Sequence, residues 1–148
     1  TMIKFRAWED RGKEYIKDVL IGSDGKVYFD DGVATQNDLD ISVEQFIGMT
    51  DMHGNEIYVG DIVQYSDQFY EYSMGGVTDR ETGYIGSVVK NSGSFGILIN
   101  RISYTDAHND RYHAKDFVPF CEFDDPESDM ALKGNVHENP ELLEDKTL

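Results

Sequence analysis

Apolar and polar side chains alternate at the start of the chain. Ile3, Phe5 and Ala7 fall on one side of an extended segment and Lys4, Arg6 and Trp8 on the other, the period of a half-buried strand beginning at Met2. Residues 15–21 and 26–29 are strand-like and flank Gly22-Ser23-Asp24-Gly25, where Asp-Gly supplies the positive φ angles of a tight turn, so a hairpin is predicted. Asp30-Asp31-Gly32 interrupts the pattern, and residues 41–47 resume it before Gly48. Further on, His53-Gly54-Asn55 and Val59-Gly60-Asp61 each put glycine where the chain must reverse, with short β-branched and aromatic segments between them.

Residues 66–83 lack a clear period and contain Gly75-Gly76, which predicts a long tyrosine-rich excursion. Residues 84–90 and 95–99 surround Asn91-Ser92-Gly93-Ser94 and predict a second hairpin. A less regular segment, 101–115, leads to a strand over 116–123, which Pro119 directs to a sheet edge by removing a backbone donor. Near the end, Asn139 is placed to cap a short helix with Pro140 at its first position and Glu141 at the positive end of its dipole. So short a helix does not persist alone in water, so Leu142 and Leu143 must dock on this chain or on another. The pattern predicts a mainly β protein, a partly closed β-barrel or strongly bent sheet system. It divides into a β-rich domain over 2–125 (N-terminal strands 2–47, barrel core 48–125) and an acidic C-terminal tail with a short helix over 126–148.

Composition adds that the chain folds and that its surface is negative. Of its 148 residues 39% are hydrophobic and 12% aromatic, enough for a real core. Thirteen Lys and Arg against twenty-nine Asp and Glu leave a formal charge of −16, which repels phosphate backbones and anionic lipid from most of the surface. Cys121 is the single cysteine, so no intramolecular disulfide forms and a four-ligand structural zinc site lacks thiolates; a reducing compartment is expected. With no apolar leader and no run long enough to span a bilayer, the expected location is cytoplasmic, without membrane contact.

Candidate chemistry is sparse. Asp106, His108 and Asp110 share a face if their segment is extended, a pattern able to hold a divalent ion, although polar runs of this type are most often solvated loops; His108 and His113, five apart, point to opposite faces. Cys121 is expected to be a buried structural residue, because Glu122 beside it works against the thiolate a nucleophile needs. Phosphate-cradling loop, zinc-protease and nucleophile-elbow motifs are all absent, so the expectation is no catalytic residue, no cofactor and no metal. Tyr65, Phe69, Tyr70, Tyr72 and Tyr84 suit stacking on single-stranded nucleic acid, but Asp67, Glu71 and Asp79 repel its phosphates, and protein contact or core packing accounts for them better. Lys90, Arg101, Arg111 and Lys115 are the only candidates for a local basic patch.

Three ordered blocks carry a resemblance. They are Ile3-Lys4-Phe5-Arg6-Ala7-Trp8-Glu9; Phe46-Ile47-Gly48 continuing through Asp51-Met52-His53-Gly54-Asn55-Glu56-Ile57-Tyr58-Val59-Gly60-Asp61-Ile62-Val63; and Gly134-Asn135-Val136-His137-Glu138-Asn139-Pro140-Glu141-Leu142-Leu143. In these the chain resembles the YopX family of phage and prophage proteins, departing from it at His53 and Val59, where a polar and an acidic residue are common, and at His137, where an aromatic is usual. The resemblance implies a barrel-related, SH3-like β fold and a phage or prophage origin, and it brings no catalytic residues. It makes Gly54, Gly60, Asp61, Asn139 and Pro140 the structural motif positions, and leaves Tyr70, Tyr72, Leu142 and Leu143 as candidate interaction residues.

The expectation is therefore a non-enzymatic phage accessory protein, an interaction or assembly module with a protein partner or self-association. Alternatives from other classes are an acidic DNA mimic that occupies a host nucleic-acid-binding protein, a single-stranded nucleic-acid-binding barrel, and a weak metal- or nucleic-acid-dependent enzyme centred on Asp106, His108 and Asp110.

Overall fold

The computed structural model describes residues 3–30, 32–35 and 40–144. The expected strand start at Met2, Asp31 of the interrupting turn and the tail from Asp145 onward lie outside the described residues. The described chain is mainly β, in two antiparallel sheets.

In the first sheet, β1 (Phe5–Glu9) lies between β2 (Glu14–Ile21) and β5 (Ile41–Thr50); β3 (Lys26–Phe29) and β4 (Gly32–Thr35) extend it beyond β2, and β6 (Glu56–Tyr58) beyond β5. The second sheet has the order β10-β9-β8-β7-β11, from β7 (Asp61–Ser73), β8 (Gly76–Asn91), β9 (Ser94–Thr105), β10 (Phe117–Pro119) and β11 (Met130–Asn135). Each hairpin predicted from a glycine turn is present: β2–β3 across Gly22–Gly25 and β8–β9 across Ser92 and Gly93, both with positive φ. Pro119 sits on the edge strand, as its missing donor requires.

Neither sheet closes, which corrects the partly closed barrel. The chain leaves the first sheet after the three-residue β6 and turns at Gly60, whose φ of +98° is open to glycine. From there β7 founds a new sheet, and two cores form in place of one barrel interior. The main core gathers Ile47 and Ile57 of the first sheet with Val63, Tyr65, Tyr84, Val88, Ile97, Ile99, Val118 and Met130 of the second. A smaller one centres on Ala7, Val19 and Val27. Each fully buried aliphatic side chain contributes on the order of 1.5–3 kcal/mol.

Other expectations also change. β1 buries both faces, with Arg6 8% and Trp8 3% exposed, because the second sheet and the C-terminal segment cover the side expected to meet water. The irregular reading of 101–115 gives way at its start to β9, which runs to Thr105. Residues 66–83 are not an irregular excursion but a long hairpin of β7 and β8. Cys121 is exposed, not buried: the 3-10 turn Phe120–Glu122 sends Phe120, and Phe123 just after it, into the core and leaves the thiol outside. A single helical turn, α1 (Pro126–Asp129), precedes β11. The expected C-terminal helix is a 3-10 turn, Pro140–Leu143, closed by the Leu142 amide on the Asn139 carbonyl at 3.1 Å. Pro140 takes its first position, but the Asn139 side chain does not cap it; its Oδ1 accepts the Asn135 amide at 3.2 Å instead.

Candidate interaction surface and buried ionic junction

The three sequence blocks meet at one place. Arg6 of β1 donates through Nε to Glu44 Oε1 of β5 at 3.0 Å and through Nη2 to Asp61 Oδ1 of β7 at 2.7 Å. Tyr15 of β2 donates its hydroxyl to Glu44 Oε1 at 2.9 Å, and Tyr58 gives its amide to Asp61 Oδ2 at 2.8 Å. From the C-terminal segment His137 brings Nε2 to 2.9 Å from Glu44 Oε2 and stacks on Trp8 with ring centroids 4.8 Å apart and planes 4° from parallel. The Arg6 guanidinium is sandwiched between the rings of Tyr15 and Tyr58, at 3.9 and 4.5 Å.

Burial works against the Arg6 charge, but the adjoining Asp61 and Glu44 carboxylates more than offset it and hold its pKa above the ordinary value. Burial raises the Asp61 carboxyl, against the pull of Arg6, and burial beside Glu44 raises the Tyr15 phenol. Every carboxylate oxygen of the pair accepts a hydrogen bond. A base with its lone pairs occupied and its side chain at most 7% exposed is a fastening. Arg6, Tyr15 and Glu44 were not singled out by sequence reasoning, and His137 entered it only as a departure from the family pattern; the available signal was a charged residue on the same strand face as Trp8.

Gly54 and Asp51 make a second fastening. Asp51 Oδ1 accepts the amides of His53 and Asn55 at 2.9 and 2.8 Å around the Gly54 turn, and Oδ2 accepts the Leu132 amide of β11 at 2.8 Å. Burial pushes the Asp51 carboxyl up, and these donors more than reverse it, leaving its pKa lowered.

Asp106, His108 and Asp110 are not brought together as ligands. Asp106 Oδ1 accepts the Glu81 amide at 2.8 Å, His108 Nδ1 lies 3.1 Å from Glu71 Oε1, and Asp110 Oδ1 accepts the hydroxyls of Thr82 and Thr105 at 2.9 and 2.8 Å. Among the described residues no group of three or more His, Cys, Asp or Glu side chains is arranged to hold a metal ion. Two of the four residues of the basic patch are engaged elsewhere: Arg111 lies 3.0 Å from Asp67 Oδ2, and Arg101 donates to the Leu142 carbonyl at 3.0 Å. With Asn100 bonded to the Leu143 carbonyl, the backbone of Leu142 and Leu143 docks on this chain's own β9, and their side chains are half-buried.

Tyr70 and Tyr72 stand on an arm. β11 follows β7 only to Tyr65 and β9 follows β8 only to Thr82, so residues 68–73 and 76–81 continue as a two-stranded ribbon. Its patterning is inverted. One face carries Tyr70, 65% exposed, Tyr72, 79% exposed, and Val77, with Met74 at the tip fully exposed. The opposite face pairs Glu71 with Arg80 at 2.9 Å and is covered by the loop after β9, whose His108 and Asn109 amides donate to Glu71 Oε2 at 3.0 and 3.2 Å. Glu71 and Arg80 are tied down beside the half-buried Phe69, while Tyr70 and Tyr72 face solvent together with Asp79, so the segment has no legible hydrophobic period.

The overall fold is similar to that of the crystal structure of protein EF1440 from Enterococcus faecalis. The match covers 97% of this chain and 99% of that one at a TM-score of 0.56 and 22% identity. No curated protein matches the chain. The family model described as YopX protein matches residues 4–144, a span that takes in Arg6, Glu44, Asp61 and His137, and the chain belongs to the YopX family.

Proposed function

We propose that this chain is a non-enzymatic protein-interaction or assembly module, an accessory protein of phage or prophage origin acting in the cytoplasm of its bacterial host, and that its contact element is the β7–β8 arm. The observation that carries the reading is the inverted arm, with Tyr70, Tyr72, Met74 and Val77 turned outward. Contiguous exposed aromatic and aliphatic side chains on a two-stranded ribbon mark contact surfaces, and tyrosine is enriched in them. The saturated carboxylates of the Arg6 junction support the non-enzymatic part, and the engagement of Arg80, Arg101 and Arg111 within the chain weighs against a nucleic-acid-binding barrel.

The test is in-cell cross-linking of the parent chain and of Tyr70→Ser/Tyr72→Ser in a bacterial host. The expected result is a defined cross-linked species that the double variant loses while keeping its melting temperature. Identical cross-linking patterns from both would overturn the reading.

A further inference from the structure

Resting on that reading of the arm, we infer that its occupant is a basic, extended segment of a partner protein, not a second copy of this chain. An open groove of about 860 Å³ runs along the arm, lined by Tyr70, Tyr72, Asp79, Glu81, Asp106 and Asp124. Two arginines also line it, but Arg80 is paired with Glu71 at 2.9 Å and Arg111 lies 3.0 Å from Asp67, so their charge is already compensated. The groove is left with carboxylates in excess beside two exposed phenol rings. Ring faces attract cations and carboxylates accept from ammonium and guanidinium groups, so the two features select the same ligand chemistry, lysine or arginine side chains.

The edge of β7 favours an extended backbone for that segment. Past Tyr65, where β11 stops, no strand covers the outer side of β7 among the described residues, and an added strand would pair there while its alternate side chains reach Tyr70 and Tyr72. Self-association through the arm is disfavoured by charge: each copy brings −16, and facing arms would set Asp79 and Glu81 against their equivalents.

The probe is a fluorescein-labelled synthetic peptide of alternating lysine and threonine, with a glutamate–threonine peptide as control, titrated by fluorescence anisotropy at low and high salt. The lysine peptide should bind, the glutamate peptide should not, and affinity should fall as salt rises. Tyr70→Ser/Tyr72→Ser, which leaves net charge unchanged, and Asp79→Asn/Asp124→Asn should each weaken binding roughly tenfold, with melting temperatures held. Glu14→Gln/Asp30→Asn removes two exposed carboxylates from the other sheet and should change affinity by less than about twofold. Equal loss in the remote pair, or none in the tyrosine pair, would reduce the binding to diffuse charge and overturn the inference. A mass doubling in light scattering that Tyr70→Ser/Tyr72→Ser abolishes would overturn it in favour of a second copy. A cross-linked partner held at Tyr70 and Tyr72 through an acidic segment would overturn this inference while leaving the interaction role standing.

Discussion

Gly60 stands so close against Glu44 that a β-carbon on residue 60 would collide with the Glu44 carboxylate. The chain passes from one sheet to the other at that point, with φ at +98° and the Gly60 amide donating to the Val88 carbonyl at 3.0 Å. Gly60→Ala therefore meets two penalties, a left-handed backbone and a displaced junction carboxylate, and should lower unfolding free energy in urea by about 2–4 kcal/mol. Gly54→Ala, at φ +82° with open space around it, should cost only about 1–2 kcal/mol. Equal costs at the two positions would show that the contact with Glu44 is of no consequence.

Arg6 is set between Glu44 and Asp61. Arg6→Met keeps most of the side-chain volume and leaves two buried carboxylates uncompensated, so it should destabilise by about 3–5 kcal/mol in chemical unfolding. Arg6→Met combined with Glu44→Gln and Asp61→Asn should recover part of that loss, because the uncompensated charge is gone.

The stack of His137 on Trp8 makes the sole tryptophan a reporter of the C-terminal segment. His137→Ala loses the ring contact and the bond to Glu44, and about 2 kcal/mol of stability is expected to go with them. Ending the chain before Gly134 uncovers Trp8, and its emission should move to longer wavelength. Unchanged emission and melting temperature would mean that the segment is not docked as described.

Asp51 fixes the direction of an acid limb. Its folded pKa lies below its unfolded one, so the stability it adds is fully present above the unfolded value of about 3.9 and is lost as pH falls through the folded value. The stability difference between the parent chain and Asp51→Asn should therefore be constant near neutrality and shrink below about pH 4. A difference that grows on acidification would contradict the lowered pKa.

Cys121 is exposed, so a thiol reagent should label it stoichiometrically in native protein at a rate close to that in denaturant. Protection of the thiol until unfolding would contradict the outward position that the Phe120–Glu122 turn gives it.

Local chemistry made several features legible from sequence. Gly25 and Gly93 marked two hairpins because positive φ is open to glycine whatever surrounds it. Pro119 declared its edge strand through a missing donor. Gly60 and Asp61 were recognisable as a motif, although what Asp61 does there was not.

What the residues by themselves determined about this protein is that it is acidic, mainly β, without a disulfide and punctuated by glycine turns, because composition and turn chemistry act over a few positions. Tertiary structure alone decided that the strands form two open sheets, that Arg6 meets Glu44 and Asp61 and His137 meets Glu44 across separations of 38 residues and more, and that Tyr70 and Tyr72 face outward. The reason is physical. Long-range ion pairing and the choice of which ribbon face is covered depend on what lies opposite in space, and for the arm the covering loop took the face of Glu71 and Arg80 and left Tyr70 and Tyr72 to solvent.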